Sequence, residues 1–255
     1  MNPFRRSMCF LTLALGVACV SWLSTVHAEG SKSDSWGTIK GQIVYDGEPP
    51  PADALKVDKD TEHCLSKGAI ASEAWVVDLK TKGVRYAVIF LKAAKGQPLP
   101  IHDTLKNPPA EAVVLDQPCC RFEPHVLALR AGQKLIAKNS GAVQHNVVLS
   151  GLSNTANTST PSGGTHTFEL EYEPEPVGIS CGAHPWMKGY AWVFKHPYFA
   201  VTDAEGRFEI KLAPAGSRQL VIWQEQAGFF PNKTGQTIDV KASGETDLGV
   251  IKIKK

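Results

Sequence analysis

Three side chains able to bind a metal recur at intervals of three in Cys181-Gly182-Ala183-His184-Pro185-Trp186-Met187. The stretches on either side alternate. Val177, Ile179 and Cys181 fall on one face of an extended strand, and Tyr190, Trp192 and Phe194 on one face of the next, because strand side chains alternate with period two. A loop so placed is pinned at the end of a β-sheet. It carries a thiolate, an imidazole and a thioether, and soft sulfur donors beside imidazole suit copper. A second imidazole has to come from another strand. His145, in Gln144-His145-Asn146-Val147-Val148-Leu149, is the candidate. Each residue also has an ordinary reading: Cys181 as a buried thiol or half of a disulfide, Met187 as a core side chain, His145 as a hydrogen-bonded strand histidine.

The rest of the chain is short strands punctuated by Gly, Pro and Asn, which predicts an all-β protein built of sandwiches. Strands are expected at Thr38 to Tyr45, Val84 to Leu91, Ala112 to Leu115, Val126 to Leu129, Lys134 to Lys138, Asn146 to Leu149 and Thr165 to Glu171. Gly96 to Pro109 carries four prolines and reads as an irregular crossover. Ser150 to Gly164 is rich in Ser, Thr, Asn and Gly and reads as a mobile loop. Phe199 to Leu212 reads as a hairpin turning at Ala204-Glu205-Gly206, followed by strands at Gln219 to Gln224, Thr237 to Lys241 and Leu248 to Lys254. There is no internal repeat, no phosphate-binding glycine loop and no Gly-x-Ser-x-Gly elbow.

Asn139, His145-Asn146 and Cys181-x2-His184-x2-Met187 together resemble the cupredoxins, the small blue copper proteins, with a short ligand loop most similar to that of the amicyanins. Cys120-Arg121-Phe122-Glu123-Pro124-His125-Val126 and His196 to Asp203 extend the likeness to secreted bacterial proteins of the methylamine-utilisation or plastocyanin-like type. Val201 to Val221, with Thr-Asp-x-x-Gly-x-Phe and Pro-x-Gly, resembles a carboxypeptidase-regulatory-like sandwich whose first strand is Gly37 to Val44. The resemblance implies a cupredoxin-like Greek-key β-sandwich plus a second, small prealbumin-like β-sandwich. The expected division is a first strand and linker over 36–60, the cupredoxin over 75–197, inserted within the second sandwich, and the remainder of that sandwich over 198–255.

The resemblance also implies a function. One copper ion is expected in a mononuclear type 1 site, with His145, Cys181 and His184 in the plane and Met187 axial. The Asn146 side chain is expected to tie the two ligand-bearing segments together. The edge of His184 is expected to face solvent, rimmed by Pro185 and Trp186, and to pass single electrons to a protein partner such as a c-type cytochrome or a dehydrogenase. Four protein ligands leave no open position for substrate, so an electron carrier is expected in place of an enzyme. Two alternatives stay open: a copper enzyme or copper-handling protein, and a sandwich module that binds carbohydrate or a cell surface around a structural metal.

Residues 1–28 read as a secretory signal, with Arg5 and Arg6 before an apolar run and a small-x-small cleavage site at Val26-His27-Ala28. Lipidation at Cys19 is the competing reading. No second apolar run follows, so no membrane span is expected, and the compartment is periplasmic or extracellular. The formal charge of +2 falls to about zero with the leader removed, which argues against a nucleic-acid partner. Export leaves Cys64, Cys119, Cys120 and Cys181 where disulfides persist. With Cys181 a ligand and adjacent Cys119 and Cys120 poorly placed to bridge each other, Cys64–Cys120 is the expected disulfide. His125 could join His63 or Cys120 in a second metal site; a packed strand histidine is the plainer reading. His102, His166 and His196 are expected to be structural or solvated.

Overall fold

The computed structural model describes residues 35–255, and the expected leader lies outside them. The chain opens with β1 (Trp36–Tyr45), a one-turn helix α1 (Thr61–Cys64), a small ladder of β2 (Val76–Val77) and β3 (Val84–Arg85), and β4 (Val88–Lys92). It continues through β5 (Val113–Asp116), β6 (Val126–Arg130), β7 (Lys134–Lys138), β8 (His145–Ser150), β9 (Thr155–Thr160), β10 (Thr165–Glu169), β11 (Val177–Ser180) and β12 (Lys188–Phe194). It ends with β13 (Phe199–Val201), β14 (Arg207–Pro214), β15 (Gly216–Gln224), β16 (Gly228–Phe230), β17 (Gln236–Val240) and β18 (Glu245–Ile253). The fold is all-β, as the strand pattern predicts. No described helix is long and apolar enough to cross a membrane.

The strands form two sandwiches. In the central one, sheet β10-β7-β5 faces sheet β6-β12-β11-β8-β9. Leu115, Leu129, Leu135, Val147, Phe168, Val177, Ile179 and Val193 fill the space between them. In the terminal one, sheet β14-β1-β18 faces β13-β4-β15-β16, with β17 also paired to β15. Its core is Ile39, Ile43, Ile89, Leu91, Phe208, Ile210, Leu220, Ile222 and Ile253. The central sandwich is therefore inserted in sequence between β4 and β13. Strand β1 sits between β14, antiparallel, and β18, parallel, so the two ends of the described chain close one sheet.

A third apolar layer joins the sandwiches, and period-two alternation explains it. On β12, Ala191 and Val193 enter the central core while Trp192 and Phe194 point the other way. On β4, Ile89 and Leu91 enter the terminal core while Val88 and Phe90 point back. Trp223 leaves β15 on the same side. The Trp192 ring lies 5.1 Å from Phe90 and 5.7 Å from Trp223, and Phe194 stacks on Phe199 at 4.6 Å. The expected aromatic face of β12 is thus a seam between sheets.

Four expectations need correction. Val84 to Leu91 is not one strand: Tyr86 takes φ 67°, and the Thr202 hydroxyl accepts from Ala87 N–H (2.9 Å) and donates to Val84 O (2.7 Å) across the break. Residues 76–92, expected in the inserted sandwich, pair within β2-β3 or with β13 and β15 of the terminal one. Phe199 to Leu212 is not a paired hairpin. β13 pairs with β4 and β14 with β1, so the turn at Asp203 to Arg207 rounds a corner between sheets. Gly206 makes that corner at φ +77°, where a Cβ would lie 2.1 Å from Ile43 O. Finally, Ser150 to Gly164 contains β9, whose Thr and Ser side chains suit a polar edge strand paired with β8.

The seam generates a stability prediction. Trp192→Ala should lower the unfolding free energy by about 3–5 kcal/mol, since it opens a cavity among aromatic rings. Trp192→Phe should cost much less, because it keeps most of the apolar surface and removes a buried indole N–H that has no acceptor. Guanidinium titrations read both. Equal losses would mean that the seam is not held by apolar area.

Candidate metal centre

The ligand loop is closed at its base by the β11–β12 ladder, where Ser180 pairs with Lys188. Inside it, Met187 N–H donates to His184 O at 2.9 Å, which folds His184 to Met187 into a turn. β11 also pairs with β8, bringing the start of β8 beside the end of β11. The approach to β8 is held by Asn139, whose side chain donates to Val143 O and Thr160 O at 2.8 Å each. Hydrogen bonds thus fix both segments before any ligand is considered.

Three side chains from these segments converge. His145 Nδ1 and His184 Nδ1 are 2.9 Å apart, and Cys181 Sγ lies 3.9 Å from the first and 3.7 Å from the second. All three residues are buried. A point within this triangle lies about 2.1 Å from every corner, at the bonding distance of imidazole to a first-row metal ion and about 0.2 Å short of that of a thiolate. Two imidazoles and one thiolate converging at that spacing fit a copper ion.

The electrostatics suit metal binding. Burial above all, with the neighbouring His184 next and His63 after it, pushes His145 down to about 4, against an opposing pull from Asp60. His145 is therefore neutral near pH 7, with a lone pair to give. The Asn146 backbone N–H donates to Cys181 Sγ at 3.3 Å. The tie expected from the Asn146 side chain is replaced by this backbone bond. Its Nδ2 donates instead to Asn157 Oδ1 on β9 at 3.1 Å.

The largest departure concerns His184. Its edge is expected to be open to solvent, yet the ring is fully buried. Nε2 lies 2.8 Å from Asp60 Oδ2. Asp60 immediately precedes α1, and Cys64 at the end of α1 is disulfide-bonded to Cys120. Both sulfurs lie within 4.8 Å of a His184 nitrogen. Trp186 is partly buried, with its ring 5.1 Å from His184 and its Nε1 donating to Cys120 O at 3.1 Å. Of the expected rim, only Pro185 is exposed. Met187 is buried in the same core cluster as Cys181.

The remaining histidines separate from this centre. His125 Nε2 lies 2.6 Å from Glu225 Oε2, and its Nδ1 lies 4.0 Å from Glu73 Oε2. The two carboxylates engage opposite sides of the ring, which is a hydrogen-bonded histidine at the edge of the seam. It joins neither His63 nor Cys120. His63 instead accepts from Ala142 N–H at 3.4 Å. His102 engages Thr104, His196 accepts from Tyr198 N–H, and His166 packs on Phe168. Sequence reasoning misses Asp60. It stands in Lys56-Val57-Asp58-Lys59-Asp60, a polar stretch with nothing to mark one acid from the next. The helix-start pattern of Asp60 before Thr61-Glu62 is the available signal.

No protein-family description matches the chain, and no curated protein does. Among solved structures, a purple cupredoxin from Nitrosopumilus maritimus aligns over 32% of this chain and 99% of its own, at 19% identity and TM-score 0.29. Amicyanin from Paracoccus versutus aligns over 42% and 97%, at 17% identity and TM-score 0.30. A copper-containing nitrite reductase from Thermus scotoductus aligns over 38% of this chain and 27% of its own, at 21% identity and TM-score 0.30.

The disulfide holds α1 against the centre across a separation of 56 residues. Replacing both Cys64 and Cys120 by Ser should cost about 4 kcal/mol in the chain-entropy treatment of a loop that long. Unfolding of the double variant beside the parent protein checks it. An unchanged midpoint would mean that the loop is already closed by other contacts.

Proposed function

We propose that His145, Cys181 and His184, with Met187 as axial donor, hold one copper ion, and that the protein carries single electrons between protein partners. The observation that carries this reading is the buried triangle of two imidazole nitrogens and one thiolate sulfur. Copper, when bound, would supply a one-electron couple between Cu(I) and Cu(II). The chain's own part is to keep the donors fixed and dry. Three donors lie on or beside paired strands, and none is exposed. The Asn146 N–H draws charge from Cys181 Sγ, as hydrogen bonds to a metal-bound sulfur do. Four protein donors leave no position for substrate, which favours electron transfer over catalysis. Thiolate and thioether together favour copper over zinc.

A disulfide beside the centre supports an oxidising compartment, periplasmic or extracellular. A c-type cytochrome or a dehydrogenase suits as the redox partner. The terminal strands fit the regulatory-like sandwich that their sequence resembles, with the proposed boundaries set by sheet membership: the central unit over 113–194 and the terminal unit on either side.

Purified protein given one equivalent of Cu(II) should bind it one to one and show an intense visible band from thiolate-to-copper charge transfer. Cys181→Ser should abolish the band. A variant that kept it would remove Cys181 from the centre and end this reading.

Met187→Leu tests the axial role. Leucine has a similar volume, so the packing cost should stay below about 1.5 kcal/mol. Losing a sulfur donor withdraws electron density from the oxidised state more than from the reduced one. The reduction potential should therefore rise while the colour persists. Voltammetry of both proteins decides, and an unchanged midpoint would leave Met187 as core only.

A further inference from the structure

His184 presents two nitrogens, and one proton has to be placed on one of them. Nδ1 faces Cys181 Sγ and His145 Nδ1; Nε2 faces Asp60 Oδ2 at 2.8 Å. A carboxylate is acceptor only, so this contact requires the proton on Nε2 and leaves the Nδ1 lone pair aimed into the donor triangle. Carboxylates play this part behind metal-bound histidines generally, where they fix the tautomer and raise ligand basicity.

Three further observations point to a built contact. Asp60 holds φ 45°, ψ 39°, in the left-handed region, which Asp enters more readily than most L residues but which is not the extended backbone usual at an N-cap. It stands at the N-cap of α1, where an Asp side chain ordinarily accepts from the helix N–H groups. It makes no such bond; the carboxylate is turned to His184 instead. The helix it precedes is anchored within four residues by the Cys64–Cys120 disulfide, which itself lies against His184. Local backbone preference and capping are both set aside in favour of one contact made across 124 residues of sequence.

We propose that Asp60 is a positioning residue of the metal centre. It fixes His184 as a ligand through Nδ1, and it occupies the imidazole edge through which an electron would otherwise pass directly to solvent or a partner. The inference deepens the copper reading and rests on it for the metal, but the tautomer is a property of the chain alone. Asp60 also brings a negative charge within hydrogen-bond reach of a ligand. That charge favours the more positive metal state and holds the reduction potential down.

The test uses the full mature chain and three forms: unaltered, Asp60→Ala and Asp60→Asn. In the metal-free state, long-range 15N NMR of the imidazoles should find His184 as the Nε2–H tautomer in the unaltered protein. In Asp60→Ala the Nδ1–H tautomer should gain population. Asp60→Asn keeps an acceptor oxygen and should restore the Nε2–H form. Copper affinity, read by chelator competition, should fall roughly 10–100-fold in Asp60→Ala and recover in Asp60→Asn. The reduction potential of Asp60→Asn should nevertheless lie above that of the unaltered protein, because the charge is gone.

If Asp60→Ala keeps both the tautomer and the copper affinity, Asp60 is a surface cover and the proposal is overturned. The proposal also falls if the three proteins differ only in unfolding midpoint. If the unaltered protein shows the Asp60-dependent tautomer but takes up no copper, the positioning of His184 stands and the copper reading fails.

Discussion

Strand β12 is buried on both faces, and the rest of the molecule is arranged around that constraint. Ala191 and Val193 complete the central core, while Trp192 and Phe194 form the middle of the seam. A strand with two apolar faces cannot lie at a surface, so the sheet it belongs to has to be covered on both sides. The terminal sandwich supplies the second cover through Val88, Phe90, Trp223 and Phe229. The same strand begins at Lys188, one residue after the ligand loop ends. The loop is therefore mounted on a strand packed against neighbours on both faces.

Rigidity reaches the donors by separate routes. His145 is the first residue of β8 and is led in by the Asn139 bonds. Cys181 follows directly on β11 and receives the Asn146 N–H. His184 lies in the loop proper, where the backbone gives it only the turn closed by Met187. It is also the donor with the most side-chain support, from Asp60 on one edge, the disulfide nearby and Trp186 beyond.

The candidate donor residues stand out in the sequence because their spacing is local. Cys181, His184 and Met187 share one loop, and alternation puts Cys181 in line with Val177 and Ile179. His145 needs only the inference of a neighbouring strand. Other features cannot be read because period-two patterning tells which residues are buried but not against what. Ile89 and Leu91 look the same whichever core receives them, so the pattern alone places β4 in the wrong sandwich. Tyr190, Trp192 and Phe194 announce an apolar face without saying that it meets another sheet. β9 fails for the opposite reason: Thr-Ala-Asn-Thr-Ser-Thr has the composition of a loop, and only pairing with β8 makes it a strand. Asp60 carries a local helix-start signal, but its contact with His184 spans 124 residues and leaves no mark in that pattern.

Insertion accounts for the covered histidine. The carboxylate on the Nε2 edge of His184 comes from outside the strands of the central sandwich, from Asp60 in the link between β1 and β2. Here the link between β1 and β2 is not a short turn within the terminal sandwich. It folds on itself, with Leu55 N–H bonded to Ile70 O, and lays Leu55, Val57, Cys64 and Ile70 on the central core. Its far end returns to the terminal sandwich, where Ala74 O accepts from the Gln224 side chain. The crossing buries apolar surface in its own right, and the disulfide secures it. Asp60 is carried to His184 by a segment whose neighbours in sequence belong to the other sandwich. The environment of the donor set is thus shared between the two sandwiches.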